Sequence, residues 1–174
     1  MYPENPNKGI VSDHRQHLTT LGVLLTIIVL GVALYAHVLS GEFISDDYNF
    51  IVDNLAVRNI HNLSDIWYAF NSRFLVGLSF AVNFWLGKLD VFGYHCVNLV
   101  LHGINAFFVY KCVVLILETP VLKRDPRFSH PFPLASFATL IFLCHPIQTQ
   151  GVSFITQRAV EMGTFFYLAT ILNY

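Results

Sequence analysis

The chain has 174 residues, of which 55% are hydrophobic and 12% charged, and a formal net charge of −1. Soluble domains carry about 25% charged residues, so half the usual solvated surface is missing and a water-soluble fold of this length is excluded. No basic face stands out, which argues against nucleic acid as a partner, whereas a lipid bilayer accepts this much apolar surface.

From Leu18 to Ser40 the sequence LTTLGVLLTIIVLGVALYAHVLS holds no formal charge. A bilayer core of ~30 Å needs roughly 20 helical residues, so this is the first expected span. It is too long for a signal h-region and lacks a small-x-small site at its end, so no cleavable signal peptide is expected.

The segment 41–90 differs in kind. It opens with the acidic GEFISDDYNFIVDN and continues through HNLSDIWYAFNS. Leu63, Ile66, Trp67 and Phe70 recur at i, i+3, i+4 and i+7, which predicts an amphipathic helix over about 62–72. Asn62 or Ser64 can cap its start, and such a helix lies on a membrane surface rather than crossing it. RFLVGLSFAVNFWLGK has 14 residues between its terminal charges, short for a span. It predicts a second juxtamembrane helix over 73–88, with Phe84 and Trp85 at the interface.

Val91–Leu117 is long and apolar enough to cross, with Lys111 able to snorkel. A proline-punctuated turn follows over 118–133 and carries Lys123, Arg124 and Arg127. Apolar stretches at about 132–145 and 158–174 give two more expected spans, separated by a polar turn, HPIQTQGVSFITQR. The three cysteines, Cys96, Cys112 and Cys144, all lie in apolar stretches without metal-type spacing. They read as packing residues rather than a disulfide set.

Positive residues favour the cytoplasmic side of a membrane. Lys8 and Arg15 in the tail over 1–17, and the three basic residues of the 118–133 loop, therefore belong on one side. That requires an even number of crossings between them, so the 73–88 helix does not cross. The expected architecture is an all-α membrane protein with a cytoplasmic N-terminus and about four transmembrane helices. Two juxtamembrane amphipathic helices occupy the first outward loop, and 145–157 faces the same side.

Three constellations carry chemistry. Asp46 and Asp47 sit just beyond the first span, where a carboxylate can act as a general base, hold a divalent metal, or simply solvate a loop. Successive residues of a helix point apart, so the two acids are not expected to share one role. His95, Asn98, His102 and Asn105 are spaced by 3, 4 and 3, which places them on one helix face lining a wet cavity or bonding neighbouring helices. His95 and His102 are two turns apart, roughly 10 Å, too far to share a metal ion. The third set is His145, Gln157 and Arg158 on the turn before the last span, with Arg73 at the head of the short helix. An arginine fork suits phosphate, and it equally suits an interface anchor.

The order of FISDDYNFIVDN, RFLVGLSFAVNFWLG, GYHCVNLVLHGINAFFVY and HPIQTQGVSFITQRAVEMGTFFYLATILNY resembles one group of GT-C membrane glycosyltransferases. These are the transmembrane, tetratricopeptide-repeat O-mannosyltransferase-like proteins and their bacterial relatives. The likeness runs from about Phe43 to the end of the chain. It implies a polyprenyl-phosphate-linked sugar as donor, a protein hydroxyl as acceptor, and transfer on the outer or lumenal face of a bacterial plasma membrane or endoplasmic reticulum. By the same resemblance one of Asp46 and Asp47 is the catalytic base. Arg73 matches the arginine opening the juxtamembrane helix, with RFL here where Arg-Pro-Leu is usual. His145 and Arg158 match the outward HP…QR motif that holds donor phosphate or shapes the site.

Members of that group are much longer, with further spans and usually a soluble helical-repeat domain. The chain is therefore expected to be a partial GT-C module over 18–174, in a longer protein or beside a subunit supplying the missing spans. Two other functions stay open on the residues alone. One is a non-catalytic membrane scaffold or assembly subunit; the other is a small transporter built on the His95/His102 stripe.

Overall fold

A computed structural model of the chain describes residues 7–128 and 130–174, with side chains from Leu18 onward. Of the expected tail over 1–17, residues 1–6 lie outside the described residues. The backbone is already helical from Asn7 in α1, Asn7–Tyr35, so the helix starts well before the apolar run. Six more helices follow: α2 (Leu63–Phe70), α3 (Phe74–Gly87), α4 (Val91–Leu117), α5 (Pro131–Cys144), α6 (Gln148–Ser153) and α7 (Arg158–Asn173). No strand occurs among the described residues, as the all-α expectation requires.

Two of these helices are long and apolar enough to cross a membrane: Leu18–Ser40, which ends in a tight 3₁₀ turn, and α4. Their mean hydropathies are 2.4 and 1.9, and only 22% and 28% of their apolar windows are buried. That separates them from the core helices of a soluble protein, because Leu18, Leu21, Leu25, Ile28, Val29 and Val32 all remain exposed. A narrow stripe of α1, Ile27, Gly31 and Tyr35, turns inward at i, i+4 and i+8. Exposed apolar surface on this scale needs lipid as its solvent. The third and fourth expected spans form helices α5 and α7, which are shorter, at 14 and 16 residues.

Each helix boundary has a local cause. Asp90 caps α4 by accepting from Phe92 N at 3.1 Å. Pro131 opens α5 at a position where no N–H is needed, and Pro146 follows its end. The turn expected over 145–157 contains the short helix α6 and a 3₁₀ turn, Ile155–Gln157.

α4 is the central post, packing against α1, α3, α5, α6 and α7. Two apolar cores form around it. Ile27, Ala106 and Leu143 join α1, α4 and α5. A larger core gathers Ile51, Val57, Ile66, Phe70, Phe80, Tyr94 and Ile155, so the 41–90 segment folds back on α4 and the start of α7. Within it α2 and α3 form a hairpin whose turn passes through Asn71 at φ 47°, and Phe70 lies directly on Gly77. A Cβ at Gly77 would stand 2.3 Å from Phe70 Cδ2, closer than any real contact. Gly77→Ala is therefore expected to lower stability by about 1–3 kcal/mol through overpacking. Gly163→Ala, where nothing lies within 4 Å, should leave stability unchanged or slightly higher. Thermal unfolding of the detergent-solubilised protein distinguishes the two.

Candidate functional site

The structure separates the two adjacent acids. Asp47 is fully buried. Its Oδ2 accepts from Ile44 N at 3.1 Å and its Oδ1 from Thr156 N at 3.0 Å. This carboxylate ties the start of the 41–90 segment to the 155–157 turn, more than a hundred residues away in sequence. Asp46 is exposed and lines a cavity of about 290 Å³ together with Arg73, Phe50, Phe70, Thr156 and Gln157. An acid and an arginine thus open onto one space just outside the bundle.

Arg158 is elsewhere. Although it opens α7 beside that cavity, its side chain is fully buried and each of its three nitrogens is engaged. Nε donates to Asn98 Oδ1 at 2.9 Å, Nη1 to Asn83 Oδ1 at 2.7 Å and Ser79 Oγ at 3.0 Å, and Nη2 to the Tyr94 carbonyl at 2.9 Å. The Phe80 ring covers the guanidinium at 4.6 Å, a cation–π contact. Asn98 in turn donates to the carbonyls of Phe154 and Ile155 at 3.1 and 3.3 Å. One cation therefore gathers α3, α4 and the turn before α7. Asp47 holds the same turn from its other side, through the Thr156 N–H.

A second polar layer lies deeper along α4. Asn105 Nδ2 donates to Glu161 Oε2 at 2.7 Å and to the Glu161 carbonyl at 3.0 Å. His102 Nδ1 stands 3.4 Å from Glu161 Oε1, while Tyr35 Oη donates to the Leu143 carbonyl at 3.1 Å. His102 also stacks on Phe142 with ring centroids 5.3 Å apart. His95, Asn98, His102 and Asn105 are all buried, so the stripe faces the bundle interior. His95 packs near Gly41, whose added Cβ would meet its Nε2 at 3.2 Å, and its ring nitrogens make no hydrogen bond of normal geometry.

His145 is exposed, and its Nδ1 accepts from Ile147 N at 3.2 Å, a local turn contact away from the cavity. Among the described residues no three His, Cys, Asp or Glu side chains converge on a point that could hold a metal ion. Both Asp47 oxygens accept from backbone N–H groups.

Several participants escape a reading by motif. Ser79 and Asn83 are polar residues at i and i+4 in the otherwise apolar α3; that spacing is a legible signal for one buried polar face. Glu161 is the one acid in the last apolar stretch, and an ionisable residue in such a stretch calls for a buried partner. Thr156 contributes through its backbone N–H, which leaves no sequence signature.

No family model and no solved structure matches the chain. Curated relatives do. Protein O-mannosyl-transferase F38B6.6 of Caenorhabditis elegans is 30% identical over 162 residues, 86% of this chain and 22% of that protein. Protein O-mannosyl-transferase TMTC4 of Mus musculus is 28% identical over 155 residues, 80% of this chain and 21% of the relative. Human protein O-mannosyl-transferase TMTC3 is 27% identical over 165 residues, covering 84% and 16% respectively. The resemblance to the transmembrane O-mannosyltransferase-like proteins is borne out over most of the chain, which spans about a fifth of the length of these relatives.

The Arg158 network has a direct test. Asn98→Ala removes the acceptor of Arg158 Nε and the donor to two buried carbonyls. Each buried group left unsatisfied costs about 1–3 kcal/mol, so a stability loss of more than about 2 kcal/mol is expected. Arg158→Lys should also destabilise, since an ammonium cannot reproduce the fork. Unfolding midpoints of both variants near that of the unaltered protein would refute the assignment.

Proposed function

We propose that this chain is the site-bearing amino-terminal module of a membrane protein O-mannosyltransferase, with Asp46 as general base and Arg73 as ligand of the donor phosphate. The observation that carries this reading is the shared cavity: Asp46 and Arg73 line it, whereas Asp47 and Arg158 are buried in internal contacts. The named activity of the relatives supports the reaction class.

The chemistry follows from the two side chains. A serine or threonine hydroxyl of the acceptor protein enters the cavity beside Asp46. As its oxygen attacks the anomeric carbon of the donor sugar, Asp46 takes the hydroxyl proton. The bond from that carbon to the lipid phosphate breaks, and the departing polyprenyl phosphate keeps the electron pair. Arg73 meets its developing charge with a planar fork of donors. Thr156 and Gln157 line the same cavity, where they can orient the sugar.

The membrane arrangement belongs to the same proposal. α1 and α4 cross, and α5 and α7 make two further crossings, α5 rising only roughly 21 Å and relying on local bilayer thinning. Leu63 and Trp67 of α2 and Leu75 and Trp85 of α3 are exposed, which suits helices resting on the membrane surface with aromatic rings at the headgroups. The 41–90 segment then faces the lumen of the endoplasmic reticulum and the N-terminus the cytoplasm. Further spans of a longer protein complete the groove for the lipid donor.

Sugar transfer measured in membranes holding the native-length protein tests the roles. Asp46→Asn is expected to lower kcat by about a hundredfold to ten-thousandfold, the usual worth of a positioned base, without loss of folded protein. Arg73→Ala should weaken both donor use and turnover. Asp47→Asn should instead reduce the amount of folded protein, because Thr156 N and Ile44 N lose a charged acceptor. Full transfer by Asp46→Asn would overturn the assignment.

A further inference from the structure

We infer that Asn62 is a site of N-linked glycosylation, carried on the polar turn that leads into α2. Asn62-Leu63-Ser64 is the one Asn-x-Ser/Thr tripeptide in the 174 residues, and the proposed transfer site makes no use of it. The inference rests on the proposed outward placement of 41–90.

The local geometry suits the modification. Asn62 ends a turn in which its N–H donates to the Asn59 carbonyl at 3.1 Å. His61 and Ser64 are exposed and Asn62 is half-exposed. None of residues 59–65 lines the cavity shared by Asp46 and Arg73, so a glycan here leaves that space open. Ser64 Oγ donates to Asn62 Oδ1 at 2.7 Å, which sets the tripeptide's hydroxyl against the amide that would be modified.

The folded contacts also survive the reaction. Asn62 caps α2 through Oδ1, which accepts from Asp65 N at 3.4 Å. Its Nδ2 donates to Asp65 Oδ2 at 2.6 Å. A primary amide has two N–H bonds, and glycosylation consumes one. Nδ2 bonds to the anomeric carbon of an oligosaccharide carried on a lipid pyrophosphate, the bond from that carbon to the pyrophosphate oxygen breaks, and the amide proton is released. Oδ1 remains as the cap, and the second N–H remains for Asp65. A surface loop of a lumenal segment is where such an acceptor works.

The native-length protein expressed in a eukaryotic cell provides the test. Asn62→Gln and Ser64→Ala are each expected to migrate one glycan step faster than the unaltered protein, with the difference abolished by a peptide N-glycosidase. Ser64→Ala keeps the Asn62 cap, so it reports on glycosylation even if Asn62→Gln folds poorly. His61→Cys in a Cys144→Ser background, treated with a membrane-impermeant maleimide in sealed microsomes, reads the side of the membrane separately. Labelling of the introduced thiol only after permeabilisation, together with loss of one glycan in both variants, supports the inference. Lumenal labelling without any glycan at Asn62 overturns the glycosylation and leaves the outward placement standing. Labelling in intact microsomes overturns both.

Discussion

A guanidinium group buried beneath an aromatic ring, with neutral oxygens for hydrogen-bond partners, is an expensive thing to place in a membrane protein. Arg158 occupies such a position, and the organisation of the outer half of the molecule follows from satisfying it. Its fork reaches Ser79 and Asn83 on α3, Asn98 and the Tyr94 carbonyl on α4. Those bonds hold α3 against α4 although α3 is too short to be fixed by spanning the bilayer. They also fix the turn before α7, because Asn98 holds the Phe154 and Ile155 carbonyls.

At that turn the environments of the two acids divide, Asp47 buried and Asp46 exposed. Asp47 grips the turn from the other side through Thr156 N, so its carboxylate is committed to the fold. Asp46, one residue earlier, is left at the cavity rim with Arg73. Deeper in the bundle the Glu161, His102 and Asn105 layer repeats the device, holding α7 to α4 by polar bonds where apolar packing alone confers little specificity among lipids. Gly151 belongs to this layer as well: an added Cβ would stand 2.7 Å from Glu161 Oε1, so α6 approaches α7 closely only because that position is a glycine.

Much of this was legible in the sequence, for identifiable reasons. α4 is bounded by Asp90 and Glu118 around a long, mostly apolar run, so its limits follow from hydropathy and capping. The hairpin of α2 and α3 announces itself through the period of Leu63, Ile66, Trp67 and Phe70 and through the charges at Arg73 and Lys88. The start of α1 was not legible, since hydropathy marks where lipid begins and not where the helix begins. α6 was missed because six residues of mixed polarity carry no usable period. The site was legible only in part. The divergence of Asp46 and Asp47 follows from helical geometry, but which acid is buried depends on the Thr156 N–H, and a backbone donor has no residue-type signature. By residue type alone Arg158 suits a phosphate ligand or an interface anchor; its burial depends on Ser79 and Asn83, whose i, i+4 spacing becomes meaningful once a buried cation is known to need them.

In the proposed reaction Arg73 meets the donor phosphate while Arg158 supports the site from within. A structure of the native-length protein with a polyprenyl-phosphate sugar bound tests it most directly. The phosphate is expected to lie against Arg73, the anomeric carbon on the side of Asp46, and Arg158 to remain covered by Phe80 and bonded to Asn98. A phosphate bonded to Arg158, with Arg73 turned to solvent, would contradict it.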